Sequence, residues 1–183
     1  MRLIAKCLLL IVSFAVCGAL SEHARGGGGP FGSMIVVAFL AFVATIAHEL
    51  GHACAVLAVK GRVHAFMALP LELRFRPTRL AFVSRAGRGD LGGYVLYTLG
   101  TRDSYGRRLM IAGAGPLANL VLAVLVGLSS NALPVGSGQD TLIALSLLSG
   151  GMGLANLIPF EGSDGARILK ASRQKLRTVL WRN

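Results

Sequence analysis

The residues best equipped for chemistry in this 183-residue chain are His48-Glu49-Leu50-Gly51-His52. On an α-helix, residues i and i+4 stand one turn apart on one face, so His48 and His52 can offer two imidazole nitrogens to a single metal ion. Glu49 stands beside them. In this pattern the glutamate is not a ligand but takes a proton from the water that attacks a carbonyl, which is metal-assisted hydrolysis with Zn2+ as the implied ion. The motif lies in a run from Met34 to Val59 whose only Asp, Glu, Lys or Arg is Glu49. Each charge placed in the middle of a bilayer costs about 2.5 kcal/mol or more. Three ionisable groups in five residues therefore need a compensating partner, and a bound metal is one. Histidines satisfied within a packed core are the plain alternative.

Two imidazoles and a water leave a tetrahedral zinc one ligand short. His64 follows in the basic segment together with Glu72, Asp90 and Asp103, while Glu161 and Asp164 close the last apolar run. His23 would lie on the opposite side of the membrane. His52 precedes Lys60 by eight residues, which puts it about 12 Å inside that end of its helix. Asp164 can reach the same depth if the chain near it is not a straight helix, and Pro159, Gly162 and Gly165 supply such a break. Taken alone, Asp164 suits a helix N-cap better, a role that Asp favours. Cys7, Cys17 and Cys54 all sit in apolar runs. An odd count placed there gives no disulfide framework, and they read as small hydrophobes. Cys54 is two residues beyond His52, about 200° around the helix and off any shared metal site.

The elements that position these groups are set by composition. The chain is 54% hydrophobic and only 15% charged, yet carries 19 Lys and Arg against 8 Asp and Glu, a net charge of +11. A soluble domain holds about 25% charged residues, so disorder and an ordinary soluble globule are both excluded. Apolar runs long enough to cross a bilayer cover residues 3–20, 34–59, 109–130 and 141–160. The first also has the composition of a secretory signal peptide, and a retained span is the reading adopted. Ten of the 19 basic residues fall between Lys60 and Arg108, six follow Phe160, and none lies between the third and fourth runs. The positive-inside rule then puts both termini in the cytoplasm, in a plasma or inner membrane. Between spans two and three, Leu71 to Arg76 alternates with period two and Gly92 to Leu99 is rich in Tyr, Val and Thr, so both read as strands around a turn-rich Ser84 to Asp90. The tail, residues 164–183, reads as a basic amphipathic helix on the lipid of the inner leaflet. Without an aromatic-interleaved basic patch, no nucleic-acid partner is expected. The fold class is thus an α-helical integral membrane protein, a single domain over residues 1–183. It has about four transmembrane helices and a β-rich cytoplasmic or membrane-dipping hairpin over residues 61–108.

In this order and at these depths the motifs resemble the site-2 protease family of intramembrane zinc metallopeptidases. The likeness spans roughly residues 34–170. It rests on the His48 to His52 motif, Gly92-Gly93-Tyr94-Val95, Ala114-Gly115-Pro116-Leu117-Ala118-Asn119, Asn156 to Pro159, and Asp164-Gly165. The resemblance implies one Zn2+ per chain held by His48, His52 and Asp164, with Glu49 as general base. It also implies that Asn119 and Asn156 line the site, holding substrate or polarising the scissile carbonyl. The β-rich element would dip toward the site and offer an edge, at Gly92, Gly93 and Tyr94, to an unwound transmembrane segment of a substrate protein. Strand addition there would satisfy the segment's freed backbone groups. One departure is that Glu161-Gly162-Ser163 precede Asp164 where the family's last motif runs Pro-x-x-Pro-Leu-Asp-Gly, although the spacing from Asn156 to Asp164 is kept. The structural alternatives are a polar helix glue for Asn119 and a lipid-bound amphipathic hairpin for the β segment. For the whole chain the alternative is a membrane protein that binds or carries a divalent metal without proteolysis, or a degenerate relative acting as a scaffold. Neither of those needs a general base beside its ligands.

Overall fold

Uncharged runs of twenty or more residues have one stable form in lipid, a helix that closes its backbone hydrogen bonds within itself. The computed structural model describes residues 29–82, 92–100 and 104–180, together with Ile4, Cys7, Ile11, Val12 and Val16. Among these residues three helices are long and apolar enough to cross a membrane: α1 (Gly29–Ala58), α2 (Tyr105–Ser130) and α3 (Ser137–Leu157). They turn Met34, Phe39, Leu57, Leu117, Val121 and Leu125 outward, an apolar exterior that calls for a lipid surround. The expected span over residues 3–20 falls largely outside the described residues, so three spans rather than four are seen. Val16, from that run, is helical and buried against Leu40, Ala144 and Leu145.

Both ends that adjoin the site depart from the apolar runs for local reasons. Helix α2 begins four residues before the uncharged run, because Ser104 accepts a hydrogen bond from the Arg107 N–H (3.4 Å) and the charged first turn is already helical. Helix α3 stops at Leu157 instead of running to residue 160. Ile158 is extended (φ −72°, ψ 124°), the conformation that the ring of Pro159 imposes on its predecessor.

The segment between α1 and α2 is more than a hairpin. Strands β1 (Arg62–Ala68), β2 (Leu71–Arg74), β3 (Arg79–Phe82) and β4 (Gly93–Thr98) form one antiparallel sheet in the order β3-β2-β1-β4. The expected strand over residues 71–76 ends at Arg74, ahead of Pro77, which cannot donate to a ladder; the chain then turns back as β3, pairing Arg74 with Arg79. The expected turn over residues 84–90 lies outside the described residues. β1 is central, and Ala65, Met67 and Ala68 are all buried. Among the described residues β4 pairs only with β1 and leaves an edge. Inside the sheet, Glu72 accepts hydrogen bonds from Arg74 (3.0 Å) and from the Tyr94 hydroxyl (2.7 Å), which hold its carboxyl below the usual carboxylate range. A final helix, α4 (Asp164–Leu180), packs mainly along α2, with Ala171 buried against the bundle.

Candidate metal centre

The histidines reach the site because α1 and α2 touch at their backbones. A Cβ on Gly51 would lie 2.5 Å from the Ala114 carbonyl oxygen and 2.7 Å from the Ala118 Cβ, so only glycine allows this approach. It brings His52 Nδ1 to 2.7 Å from the Ile111 carbonyl oxygen. A carbonyl only accepts, so Nδ1 carries the proton and Nε2 presents a lone pair. Pro116 also lies within α2, where its missing N–H leaves the neighbouring Ala112 carbonyl without its helical donor.

His48 Nε2, His52 Nε2 and Asp164 Oδ2 converge at separations of 3.0, 3.2 and 3.2 Å, and all three residues are buried. Bonds of about 2.0–2.2 Å at the tetrahedral angle would set ligand atoms roughly 3.4 Å apart. The three atoms thus have the donor types and nearly the spacing that a metal ion requires, and together they could hold one. Gly115 forms the floor. A Cβ there would lie 2.7 Å from His48 Nε2 and closer still to His52 Nε2, so the meeting point exists only because residue 115 has no side chain.

Asp164 is delivered by the break after α3. Ser163, rather than Asp164, is the N-cap of α4: its Oγ accepts from the Ala166 and Phe160 N–H groups, both at 3.1 Å, and donates toward the Ile158 and Phe160 carbonyls. That frees the Asp164 carboxylate to face the histidines. Gly165 then lets the first turn of α4 sit directly on the Leu157 carbonyl. Burial disfavours the charge on Asp164, but its hydrogen bonds to His48 and His52 outweigh burial and hold the carboxyl well below the usual carboxylate range. Arg167 adds Nη1 at 3.4 Å from Oδ1. Asp164→Ala should reduce bound zinc to near background by elemental analysis; unaltered stoichiometry would assign the third ligand elsewhere.

A cavity of about 40 Å³ opens onto the trio, lined also by Glu49, Gly93, Tyr94, Met152, Asn156, Gly162 and Arg167. It has room for a few waters. Glu49 is buried under the first residue of β4, and a Cβ on Gly93 would lie 2.5 Å from Glu49 Oε1. The sheet edge therefore starts at the carboxylate. Gly92 enters the strand at φ 93°, a conformation open mainly to glycine.

The other residues singled out from the sequence divide clearly. Asn156 lines the cavity, its Nδ2 donating to the Met152 carbonyl at 3.2 Å. Asn119 is fully buried behind His48 and is not among the lining residues. His64 lies on the sheet, 3.0 Å from Thr98 Oγ1, Glu72 is engaged by Arg74 and Tyr94, and Glu161 is exposed. None of the three joins the trio. Asp90, Asp103 and His23 lie outside the described residues. Sequence reasoning missed Ser163, Arg167 and Ser149. Ser163 had a readable signal, a serine directly before a helical Asp-Gly-Ala turn; the other two become visible only once the helices are packed.

Comparison with known proteins adds to this geometry. Residues 34–135, from within α1 to the loop that follows α2, match the model of a family described as Peptidase family M50. A zinc metalloprotease of Methanocaldococcus jannaschii is 27% identical over 141 residues, covering 76% of this chain and 35% of its own length. The chain thus spans about a third of the curated relative that it matches. No solved structure matches the chain at a significant level.

Proposed function

We propose, from the premise that this chain belongs to peptidase family M50, the site-2 protease family, that it is an integral membrane zinc endopeptidase. It hydrolyses a peptide bond within or next to a transmembrane segment of another membrane protein. The observation that carries the reading is the convergence of His48, His52 and Asp164 beside Glu49, in a cavity flanked by a sheet edge. One Zn2+ held by those three residues would polarise the scissile carbonyl and lower the pKa of the attacking water.

The remaining steps belong to the chain. Glu49 accepts the proton of the attacking water and passes it to the leaving amine. The edge at Gly92, Gly93 and Tyr94 takes the substrate as an added strand, so a segment that has lost its helix regains backbone partners. Asn156, on the cavity wall, orients the scissile carbonyl. The small cavity limits the water around the reacting bond. Arginines of the sheet segment and of α4 face inner-leaflet lipid, with both termini cytoplasmic.

The test is cleavage of single-span membrane proteins by the purified chain in liposomes, with zinc content measured in parallel. Removal of metal by a chelator should stop cleavage, and stoichiometric Zn2+ should restore it. Cleavage that continues in demonstrably metal-free protein would overturn the reading.

A further inference from the structure

His48 meets the trio through Nε2, so its other ring nitrogen must carry the proton whenever Nε2 presents a lone pair to a metal. For His52 the corresponding proton goes to the Ile111 carbonyl. For His48 the neighbour is Asn119, whose Nδ2 lies 3.3 Å from His48 Nδ1. That orientation suits the other tautomer, in which Nδ1 accepts and Nε2–H donates to Asp164. Two N–H donors cannot bond one another. The metal-binding tautomer therefore requires the Asn119 amide to present its oxygen instead.

The surroundings of Asn119 suit that turn. Ser149 Oγ lies 2.9 Å from the Asn119 backbone oxygen and 3.3 Å from its Oδ1. A hydroxyl has one proton, and the shorter contact to the backbone carbonyl takes it, so toward the side chain Oγ can only accept. With the amide turned, each group has a complementary partner. His48 Nδ1–H donates to Asn119 Oδ1, Asn119 Nδ2–H donates to Ser149 Oγ, and Ser149 Oγ–H donates to the Asn119 carbonyl. Asn119 and Ser149 are both 0% exposed, so bulk water does not substitute for any of these bonds. Gly153 presses α3 onto this point, since a Cβ there would lie 2.9 Å from the Pro116 oxygen and 3.2 Å from the Asn119 Cβ.

We propose that Asn119, itself oriented by Ser149, is a positioning residue that fixes the metal-binding tautomer and ring orientation of His48. Its amide oxygen faces Nδ1 when metal is bound. This assigns Asn119 to the ligand rather than to the substrate, and it rests on the reading of the trio as a metal site.

The experiment measures zinc affinity of the full chain in detergent micelles by competition with a chromophoric chelator, and the melting temperature of the metal-free protein as the check on folding. Asn119→Leu, close in size but unable to accept, should weaken zinc binding about 10- to 100-fold, the usual cost of losing a ligand's outer partner. Asn119→Asp, whose carboxylate only accepts, should bind zinc at least as tightly as wild type. Ser149→Ala should fall between wild type and the leucine variant. A purely structural role for the asparagine would lower the metal-free melting temperature and leave affinity alone. The proposal is overturned if folded Asn119→Leu keeps wild-type affinity. It is equally overturned if Asn119→Asp loses tenfold or more, which decides the matter even where the leucine variant fails to fold. Wild-type protein that takes up no zinc would instead sink the metal reading itself.

Discussion

Glu49→Gln should end proteolysis while leaving bound zinc unchanged. Glutamine keeps the volume and one oxygen of the carboxylate but cannot take up a proton, and residue 49 is outside the three-residue group that could hold the metal. Loss of a positioned general base costs typically about 10²- to 10⁴-fold, or roughly 3–5 kcal/mol of transition-state stabilisation. The fold should tolerate the change. Glu49 already sits in a pocket only 6% exposed beneath Gly93, and the amide is isosteric with the carboxylate. Zinc content and turnover of one membrane substrate, measured on the same preparation, separate the two effects. Turnover within tenfold of wild type would remove Glu49 from the proton transfer.

Gly115→Ala should abolish metal binding through a single methyl group. In a helix the change is intrinsically favourable, by about 1 kcal/mol, so lost helicity cannot account for the effect. The added Cβ would meet the Nε2 atoms of both His48 and His52, and neither ring can retreat while its other nitrogen keeps its partner on α2. Zinc affinity is expected to drop by two orders of magnitude or more, with circular dichroism unaltered. Gly113→Ala is the control, because a Cβ at residue 113 meets nothing within 4 Å. Equal zinc binding by the two variants would show that the floor of the site is not at residue 115.

The parts of this site that follow from a helix's own periodicity were legible in the sequence. His48, Glu49 and His52 needed only the rule that i and i+4 share a face. Asp164 was less accessible. It lies 112 residues beyond His52, and its approach depends on the stop at Pro159 and on Ser163 taking over the capping role that would have occupied the aspartate. Asn119 was visible as a polar residue in an apolar span, but which side of His48 it occupies depends on how α1, α2 and α3 pack. The sheet was half legible. β2 and β4 show alternation or β-rich composition, whereas the central β1 is apolar toward both faces at its end and carries a register shift between Val63 and Ala65, which erases the period of two. β3 is exposed at all four positions and so has no buried face to impose a pattern. Helix ends differed from the apolar runs because hydropathy counts uncharged residues, whereas a helix ends at its caps.

The two histidines come from α1 and the aspartate from α4, with as many as 116 residues between ligand and ligand. A metal ion shared by them is therefore also a clasp. It closes the long chain segment that holds the sheet, α2 and α3 into a ring, and restricts the separations open to α1 and α4 much as a covalent crosslink would. Being armed and being fastened are then the same state. A molecule that lost its ion would lose its chemistry and one of the tethers on its last helix together, the packing of α4 along α2 remaining, and would regain both in one binding event.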